Sequence, residues 1–482
     1  MTALADLPAD VDLLVIGGGT AGLVAAKTAA GFGATALLVE AHRMGGDCLW
    51  TGCVPSKSLI AAAEAAHSAV DPRALGVATG AVDVDFAAVL AHVHGAIHEI
   101  EPVDSVEATE AAGALVVMGR ARFTGPRAAE IDGRAIAFRQ AVIATGSSPD
   151  VPDLPGIEGV EVLTSDSVWE LTSRPERLVV LGGGAIGCEL GQAFARLGAQ
   201  VTLVQRNARL LPKEDPDASA IVAEALVADG VDVRVATTVE RVEGADDRLS
   251  GILHLSTGDR VPFDRLLVAL GRRPRTAGLG LDAAGVRTDE RGHVTVDESL
   301  RTSNRRILAA GDVSGLPQFT HTAGVNGSIA ATNAILGLRR RIDRDAVPRV
   351  TFTHPEVGAV GLLPSEAEEN GCTVSEVRHR HTDRAIADGR TSGFTRLVID
   401  GRGRVLGATI VGPRAGESLG EASLAVRQGL RTSDIASTTH AYPTYSDALW
   451  NAAVADVRGR LRSGALARAI AVLARITAWR MR

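Results

Sequence analysis

Cys48 and Cys53, with four residues between them, stand in the run Gly45-Gly46-Asp47-Cys48-Leu49-Trp50-Thr51-Gly52-Cys53-Val54-Pro55-Ser56-Lys57. The chemistry such a pair offers is a reversible dithiol/disulfide couple. It lies just past a nucleotide-binding βαβ pattern, within reach of a bound cofactor. In an ideal helix, positions five apart are separated by about 7.5 Å along the axis. A disulfide holds its Cα atoms roughly 4.4–6.8 Å apart. The oxidised pair therefore has to distort the first helical turn, with Gly52 supplying the slack. A strained, cofactor-adjacent disulfide is labile or catalytic rather than structural, and a helix N-terminus favours a thiolate. The bland alternative is two reduced core cysteines. Scarce residue types also fall at these places. Only Lys27, Lys57 and Lys213 are lysines, and Lys57 follows Cys53 by four residues. The two tyrosines, Tyr442 and Tyr445, share one short motif.

The elements that position these residues begin with two Gly-rich turns. Asp12–Ile16 reads as a strand leading into Gly17-x-Gly19-x-x-Gly22 and a helix, and Ala36–Glu40 closes the unit. The pattern recurs over Arg177–Gln205 with Gly182-x-Gly184-x-x-Gly187, offset by 165 residues for both the first glycine and the strand-end residue. Two such turns in strand–turn–helix context predict two dinucleotide sites, each with a pyrophosphate on a helix N-terminus. Glu40 suits adenosine ribose hydroxyls. Its counterpart is Gln205, followed by Arg206, with Arg209 near. A guanidinium in place of the carboxylate favours a 2′-phosphate, hence NADPH over NADH. Arg206 as a solvated turn residue leaves NADH open.

Further along, Ala141–Gly146 and Leu266–Gly271 read as buried strands ending in loops that cross between domains, with Pro149, Pro152 and Pro155 marking the first crossing. A strand over Arg306–Gly311 ends in Asp312, and a helix begins near Thr322. From Pro348 the pattern changes to antiparallel strands, at Phe352–Gly361, Phe394–Ile399 and Val405–Val411, and a helix over Glu417–Leu430. Residues Asp456–Arg482 are arginine-rich, with Leu466, Ile470, Leu473 and Trp479 at near-helical spacing. They read either as a basic amphipathic helix for a membrane surface or as a helix capping its own domain.

With 482 residues the chain has room for about three domains. Its 46% hydrophobic and 22% charged residues are those of a globular protein. A net charge of −7 argues against nucleic acid as a partner. Four cysteines are too few for a disulfide framework and suit a reducing cytosol. The acidic first ten residues do not read as a signal peptide, and no apolar run has the length of a membrane span. His92, His94 and His98, and separately His379 and His381, lack a third ligand at convincing spacing, so no metal site is expected. Cys188 and Cys372 stand alone and read as structural.

These motifs resemble the FAD-dependent pyridine nucleotide–disulfide oxidoreductases, the group of glutathione reductase, dihydrolipoyl dehydrogenase, mercuric reductase and soluble transhydrogenase. The likeness covers roughly residues 10–455. It rests on both fingerprints, the cysteine run ending Val54-Pro55-Ser56-Lys57, Thr145-Gly146, Gly271-Arg272-Arg273-Pro274 and Ala310-Gly311-Asp312. Phe352-Thr353-His354-Pro355-Glu356 and His440-Ala441-Tyr442-Pro443-Thr444 complete the set. The resemblance implies an α/β fold with two Rossmann-like domains and an α+β dimerisation domain. Residues 1–150 and 275–346 are expected to bind FAD, 151–274 NAD(P)H, and 347–455 to form a homodimer interface, with 456–482 as the basic tail.

The resemblance also implies that Cys53 is the thiolate against the flavin and that Cys48 is the more exposed, exchanging sulfur. Lys57, paired with Glu189, lies by the flavin N5, where a cation stabilises developing negative charge. Asp312 accepts hydrogen bonds from the ribityl chain. The helix from about Thr322, with Ala323 in its first turn, aims its positive end at the flavin. Gly46, Asp47, Thr145, Gly146 and Gly271 join the fingerprint glycines as cofactor contacts. Where dithiol-reducing members carry a catalytic histidine and a glutamate, this chain has Tyr442 and Asp447. A phenol titrates near 10 against about 6.5 for imidazole, so it is a poor base at neutral pH. His440 matches a separate histidine and stands two residues away.

Tyrosine there resembles mercuric reductase and transhydrogenase. However, no cysteine follows Cys372, whereas mercuric reductases carry a cysteine pair at their C-terminus, and transhydrogenases lack the complete Cys-x4-Cys run. Asp47 stands where threonine is common. The expected enzyme is cytoplasmic, with peripheral membrane contact through its tail. It passes hydride through FAD to the Cys48–Cys53 disulfide and on to a small-molecule acceptor such as a metal ion or quinone. A dihydrolipoyl dehydrogenase-like activity and a membrane-tethered redox-sensing flavoprotein are the alternatives.

Overall fold

The two glycine fingerprints fold into near-identical turns. In the computed structural model, which describes residues 2–70, 75–462 and 464–481, Gly17 has φ +110° and Gly182 φ +112°. An added Cβ at Gly22 or at Gly187 would stand 1.8 Å from the carbonyl oxygen of Gly17 or Gly182. No side chain larger than hydrogen fits there, because strand and helix backbones touch. The helices that follow, Thr20–Gly31 and Ala185–Arg196, start from Gly19 and Gly184 with no side-chain cap. Their leading N–H groups are thus left to a phosphate.

Each turn sits on its own sheet. The first sheet runs Leu115–Met118, Ala36–Glu40, Asp10–Ile16, Arg134–Ile143, Ala128–Ile131, Ala121–Gly125. Ile307–Ala309 joins it in parallel beside Arg134–Ile143, so the chain returns to this sheet after residue 300. Leu13, Leu14, Val15, Leu37, Leu38 and Val39 are all buried. That unbroken apolar run, without alternation, is what a parallel sheet covered on both faces requires. The second sheet, ordered Asp232–Arg234, Gln200–Val204, Arg177–Leu181, Arg265–Val268, Val162–Leu163, is parallel throughout. The chain enters and leaves it through Ser147–Pro149 and Arg272–Pro274, which pair antiparallel as a two-stranded ribbon. A third sheet, from Arg349–Thr351 to Val405–Gly412, is antiparallel.

Small residues set the approach of the two helices that frame the first site. Ala21, Ala25, Ala26 and Ala29 pack with Ala323, Ala330, Ala331 and Ala334 of the Thr320–Leu336 helix. A Cβ on Gly327 would lie 2.3 Å from the Ala21 carbonyl. Gly311 is wedged between Ala21 and Ala323, so the first turns of both helices stand beside the Gly311-Asp312 loop.

Some element bounds differ from expectation. The helix expected near Thr322 begins at Thr320. The strand expected from Phe352 begins at Glu356, after Pro355, which has no N–H to donate to a ladder. His379 and His381 lie in a short turn rather than along a strand that would alternate them. Thr373–Arg378 ends first, and the Thr382 N–H returns to the His379 carbonyl to close a 3-10 turn. The tail is two helices, Asp447–Leu461 and Gly464–Arg480. The Leu466 side chain and Arg482 lie outside the described residues. Among the described residues no helix is long and apolar enough to cross a membrane.

Because the fingerprints sit on separate sheets, their glycines are separable by mutation. Gly22→Ala is expected to lower the flavin content of purified protein by about tenfold or more, a methyl group having no room there. Gly187→Ala is expected to retain flavin but lose its reduction by NADPH. Flavin absorbance and anaerobic titration distinguish the two, and equal flavin loss in both variants contradicts the separation.

Candidate active site

Cys48 lies within the short helix Gly46–Trp50, and Cys53 opens the helix Cys53–Val70. The slack expected of one distorted turn is thus taken up by a full break between two helices. At that break the Thr51 N–H still bonds the Asp47 carbonyl. A Cβ on Gly52 would meet the Asp47 carbonyl oxygen at 2.9 Å and Cys48 Cα at 3.4 Å. Both cysteines are thiols, with Cys53 exposed and Cys48 half-buried. The short helix packs against Cys53–Val70 and Phe86–Ile100 and shelters Cys48, whereas Cys53 heads its helix on the side facing Thr320.

The pair is electrostatically lopsided. The hydrogen bond from Cys48 pulls the Cys53 thiol down. Burial opposes that pull, while the Thr320 hydroxyl and the Lys57 charge add to it, and Cys53 is pushed down to about 6. Cys48, bonded to that thiolate and partly desolvated, is raised far above the ordinary thiol range. At neutral pH the reduced couple is one thiolate and one thiol. Thr320 Oγ1 stands 3.2 Å from Cys53 Sγ, at the start of a 17-residue helix whose positive end favours the anion.

One turn beyond Cys53, Lys57 Nζ donates to Glu189 Oε2 at 2.8 Å. Glu189 is buried and its other oxygen accepts the Phe352 N–H at 2.9 Å. The Phe352 ring lies 4.2 Å from Lys57 Nζ, a cation–π contact. One turn along the same helix, the Gln192 side-chain amide donates to the His354 carbonyl at 2.8 Å and accepts its N–H at 2.7 Å. Helix Ala185–Arg196 is thereby registered on segment 352–354, and Glu189 joins the first, second and third sheets.

The first fingerprint carries the larger cradle. Glu40 accepts the Gly18 N–H at 2.6 Å and the His42 N–H at 2.7 Å. Gly46 lies so close to Gly19 that an added Cβ would stand 2.6 Å from its Cα. Thr145 Oγ1 donates to the Arg275 carbonyl at 2.7 Å, beside Gly146 with φ +70°. Asp312 accepts the Ser147 hydroxyl at 2.6 Å, and that hydroxyl accepts Arg272 Nε at 2.6 Å. Arg272 also forms an ion pair with Asp47, and Arg275 approaches Asp47 at 3.4 Å. Gly271, φ +145°, precedes this arginine, and Ala323 is buried in the first turn of its helix. Bare backbone at Gly17, Gly19, Gly22 and Gly46, uncapped N–H groups and Asp312 fit a flavin dinucleotide reaching toward Cys53.

In the second fingerprint, Gln205 lies under Gly183 as Glu40 lies under Gly18, and it is buried. Arg206 is exposed, while Arg209 folds back to the Pro212 carbonyl at 2.9 Å.

Tyr442, His440 and Asp447 form a separate group. Among the described residues none of them hydrogen-bonds either active-site cysteine. Tyr442, 68% exposed, donates to Asp383 at 2.6 Å, which raises its phenol above the usual range. His440 Nδ1 meets the Thr438 carbonyl at 2.9 Å and Nε2 meets Glu421 at 2.8 Å. Burial lowers its affinity for a proton, but these acceptors prevail and the net shift is upward. Asp447, raised by burial, accepts from Asn451 at 3.2 Å.

Thr320, Arg272, Ser147, Phe352 and Asp383 were not singled out from sequence. Arg272 and Phe352 stood inside quoted motifs, whereas Thr320 needed the helix start two residues earlier. Among the described residues no group of three or more His, Cys, Asp or Glu side chains is placed to hold a metal ion.

Comparison with known proteins agrees with this geometry. The pyridine nucleotide-disulphide oxidoreductase family matches residues 11–327, and its dimerisation domain matches residues 347–453, which supports a homodimer. A mercuric reductase of Lysinibacillus sphaericus is 38% identical over 448 residues, covering 92% of this chain and 82% of that protein. A dihydrolipoyl dehydrogenase of Thermus scotoductus is 37% identical over 457 residues, covering 92% and 97%. Among solved structures, the Cu(II) complex of the HOCl-induced flavoprotein disulfide reductase RclA from Escherichia coli superposes with a TM-score of 0.83 at 28% identity, covering 92% of this chain and 99% of that one. LpdA from Mycobacterium tuberculosis gives 0.84 at 27%, with the same coverage. The chain belongs to the pyridine nucleotide–disulphide oxidoreductases and is an FAD-dependent, NAD(P)H-using flavoprotein oxidoreductase.

Proposed function

We propose that this enzyme uses NADPH to reduce a Cys48–Cys53 disulfide and delivers the electron pair to a non-thiol acceptor, a metal ion or a quinone. The carrying observation is the state of His440. Its two ring nitrogens both face acceptors, the Thr438 carbonyl and the Glu421 carboxylate. With both ring nitrogens engaged in this way, neither is open to a substrate thiol's proton. Tyr442, kept protonated by Asp383, is no base either. Mercuric reductases stand among the most similar relatives, and RclA has been solved as a Cu(II) complex, so a metal ion is a chemically consistent acceptor.

Bound FAD supplies a two-electron relay between nicotinamide and sulfur. The chain's residues do the rest. The first fingerprint and Glu40 hold the dinucleotide, and Asp312 orients its chain. Lys57, fixed by Glu189, keeps a positive charge one turn from Cys53. Two electrons and one proton break the S–S bond and leave the Cys53 thiolate, to which Thr320 donates, and the Cys48 thiol. Transfer of two electrons to the acceptor re-forms that bond and releases the Cys48 proton. Arg206 reads the 2′-phosphate of NADPH. In the homodimer, Tyr442 and Asp447 face the other subunit's sulfur pair, where the phenol oxygen, its proton held by Asp383, orients the acceptor. The enzyme is placed in the cytoplasm, in peripheral contact with the membrane. A dihydrolipoyl dehydrogenase-like activity draws on the Thermus relative, but it lacks a free imidazole here.

An acceptor panel under NADPH tests the main reading. Turnover with Hg(II), Cu(II) or quinones is expected to exceed that with lipoamide or glutathione disulfide by about tenfold or more, as the missing base implies. Fast lipoamide reduction abolished in His440→Ala refutes it. Arg206→Ala is expected to raise the KM for NADPH about tenfold and leave that for NADH unchanged, the guanidinium contacting only the 2′-phosphate. Equal effects on both cofactors count against this assignment.

The thiolate has its own signature. Because the Cys53 pKa is lowered to about 6, its charge-transfer absorbance with the flavin is expected above that pH and is lost as pH falls through it. Removing the hydroxyl in Thr320→Val is expected to move the midpoint up by about one pH unit. An unmoved midpoint shows that Thr320 does not stabilise the thiolate.

A further inference from the structure

We propose that the helix Gly464–Arg480 docks on the headgroup region of an anionic phospholipid bilayer. This deepens the peripheral location proposed above and is independent of the acceptor. Every residue from Arg468 to Met481 is exposed, which removes the alternative of a helix capping its own domain. Its main neighbour is the preceding helix Asp447–Leu461. Leu473 is 62% and Trp479 78% exposed, and Ile470, Val472 and Ile476 are exposed as well.

The pattern is two-sided. Ile470, Leu473 and Thr477 follow one another at three- and four-residue spacing and share a face, with Ile476 beside it. Arg468 and Arg475, seven residues apart, lie on the opposite face, with Val472 and Trp479 at its border. Arg480 is nearer the apolar side, where a long stem lets the guanidinium reach back to water or a phosphate. Alanines at 467, 469, 471, 474 and 478 keep the segment helical without help from packing.

Charge selects the partner. Residues 457–482 hold seven arginines and no acidic residue in a chain of net charge −7, so the remainder carries −14. A second copy would set arginine against arginine. Nucleic acid offers the anion but no apolar bed for Ile470 and Leu473. An anionic bilayer offers both, with phosphates over acyl chains, and an indole suits its interface.

Flotation of the full-length holoenzyme with phosphatidylcholine vesicles, with and without phosphatidylglycerol, tests this. Binding is expected with phosphatidylglycerol only, and it weakens as salt shortens the screening length. Leu473→Asp, and separately the double change Arg468→Glu with Arg475→Glu, are expected to reduce binding about tenfold or more, since each removes one of the two attractions. Flavin content and NADPH turnover should stay unchanged in both variants, because all three residues are exposed and none contacts a residue of the site described above. The proposal is overturned if the holoenzyme does not float with anionic vesicles, if it floats equally with neutral ones, or if either variant binds as wild type does. It is likewise overturned if DNA displaces the protein from vesicles, or if Leu473→Asp lowers the molecular mass in solution. Lost flotation with an intact acceptor profile refutes the docking alone, whereas an altered acceptor profile with intact flotation refutes only the earlier reading.

Discussion

A carboxylate buried where three sheets meet is the constraint from which the rest of this structure follows. Glu189 cannot stay ionised there without partners, since desolvating an unpaired charge costs several kcal/mol. It is matched on one oxygen by Lys57 and on the other by the Phe352 backbone. Meeting those two demands fixes the second fingerprint helix against the redox-active helix and against the entry to the third sheet. Gln192 repeats the tie one turn later. The same contacts that satisfy a costly charge therefore hold a lysine and a cysteine at fixed separation.

Chemistry at the sulfur pair rests on asymmetry. Two like thiols would share a proton and compete to ionise. Here a threonine hydroxyl, a helix terminus and a lysine all act on Cys53, and Cys48 keeps the proton. The carboxylates near the flavin cradle are matched in turn, Asp47 by Arg272 and Arg275, and Asp312 by Arg272 at 3.7 Å and a hydrogen bond from Ser147.

Much of this was legible in the chain, for a physical reason. A turn in which two backbones touch tolerates only glycine, so Gly17, Gly22, Gly182 and Gly187 announce themselves wherever they occur. The Lys57–Glu189 contact joins residues 132 positions apart, and it was legible only through family resemblance. Thr320 was missed because a helix start is blurred by a residue or two, and the functional atom sat inside that blur. His440 and Tyr442 were identified by position, but their partners Glu421 and Asp383 come from distant segments and decide their protonation.

The ribbon formed by Ser147–Pro149 and Arg272–Pro274 has a mechanical consequence. A lone tether lets an inserted unit swivel about any axis. Two strands laced together bend across their width yet resist torsion and sliding, so the unit they carry is steered along one arc. Arg272 lies within that strap and grips Asp47, the neighbour of Cys48. The strap is thereby tied to the short segment that carries Cys48.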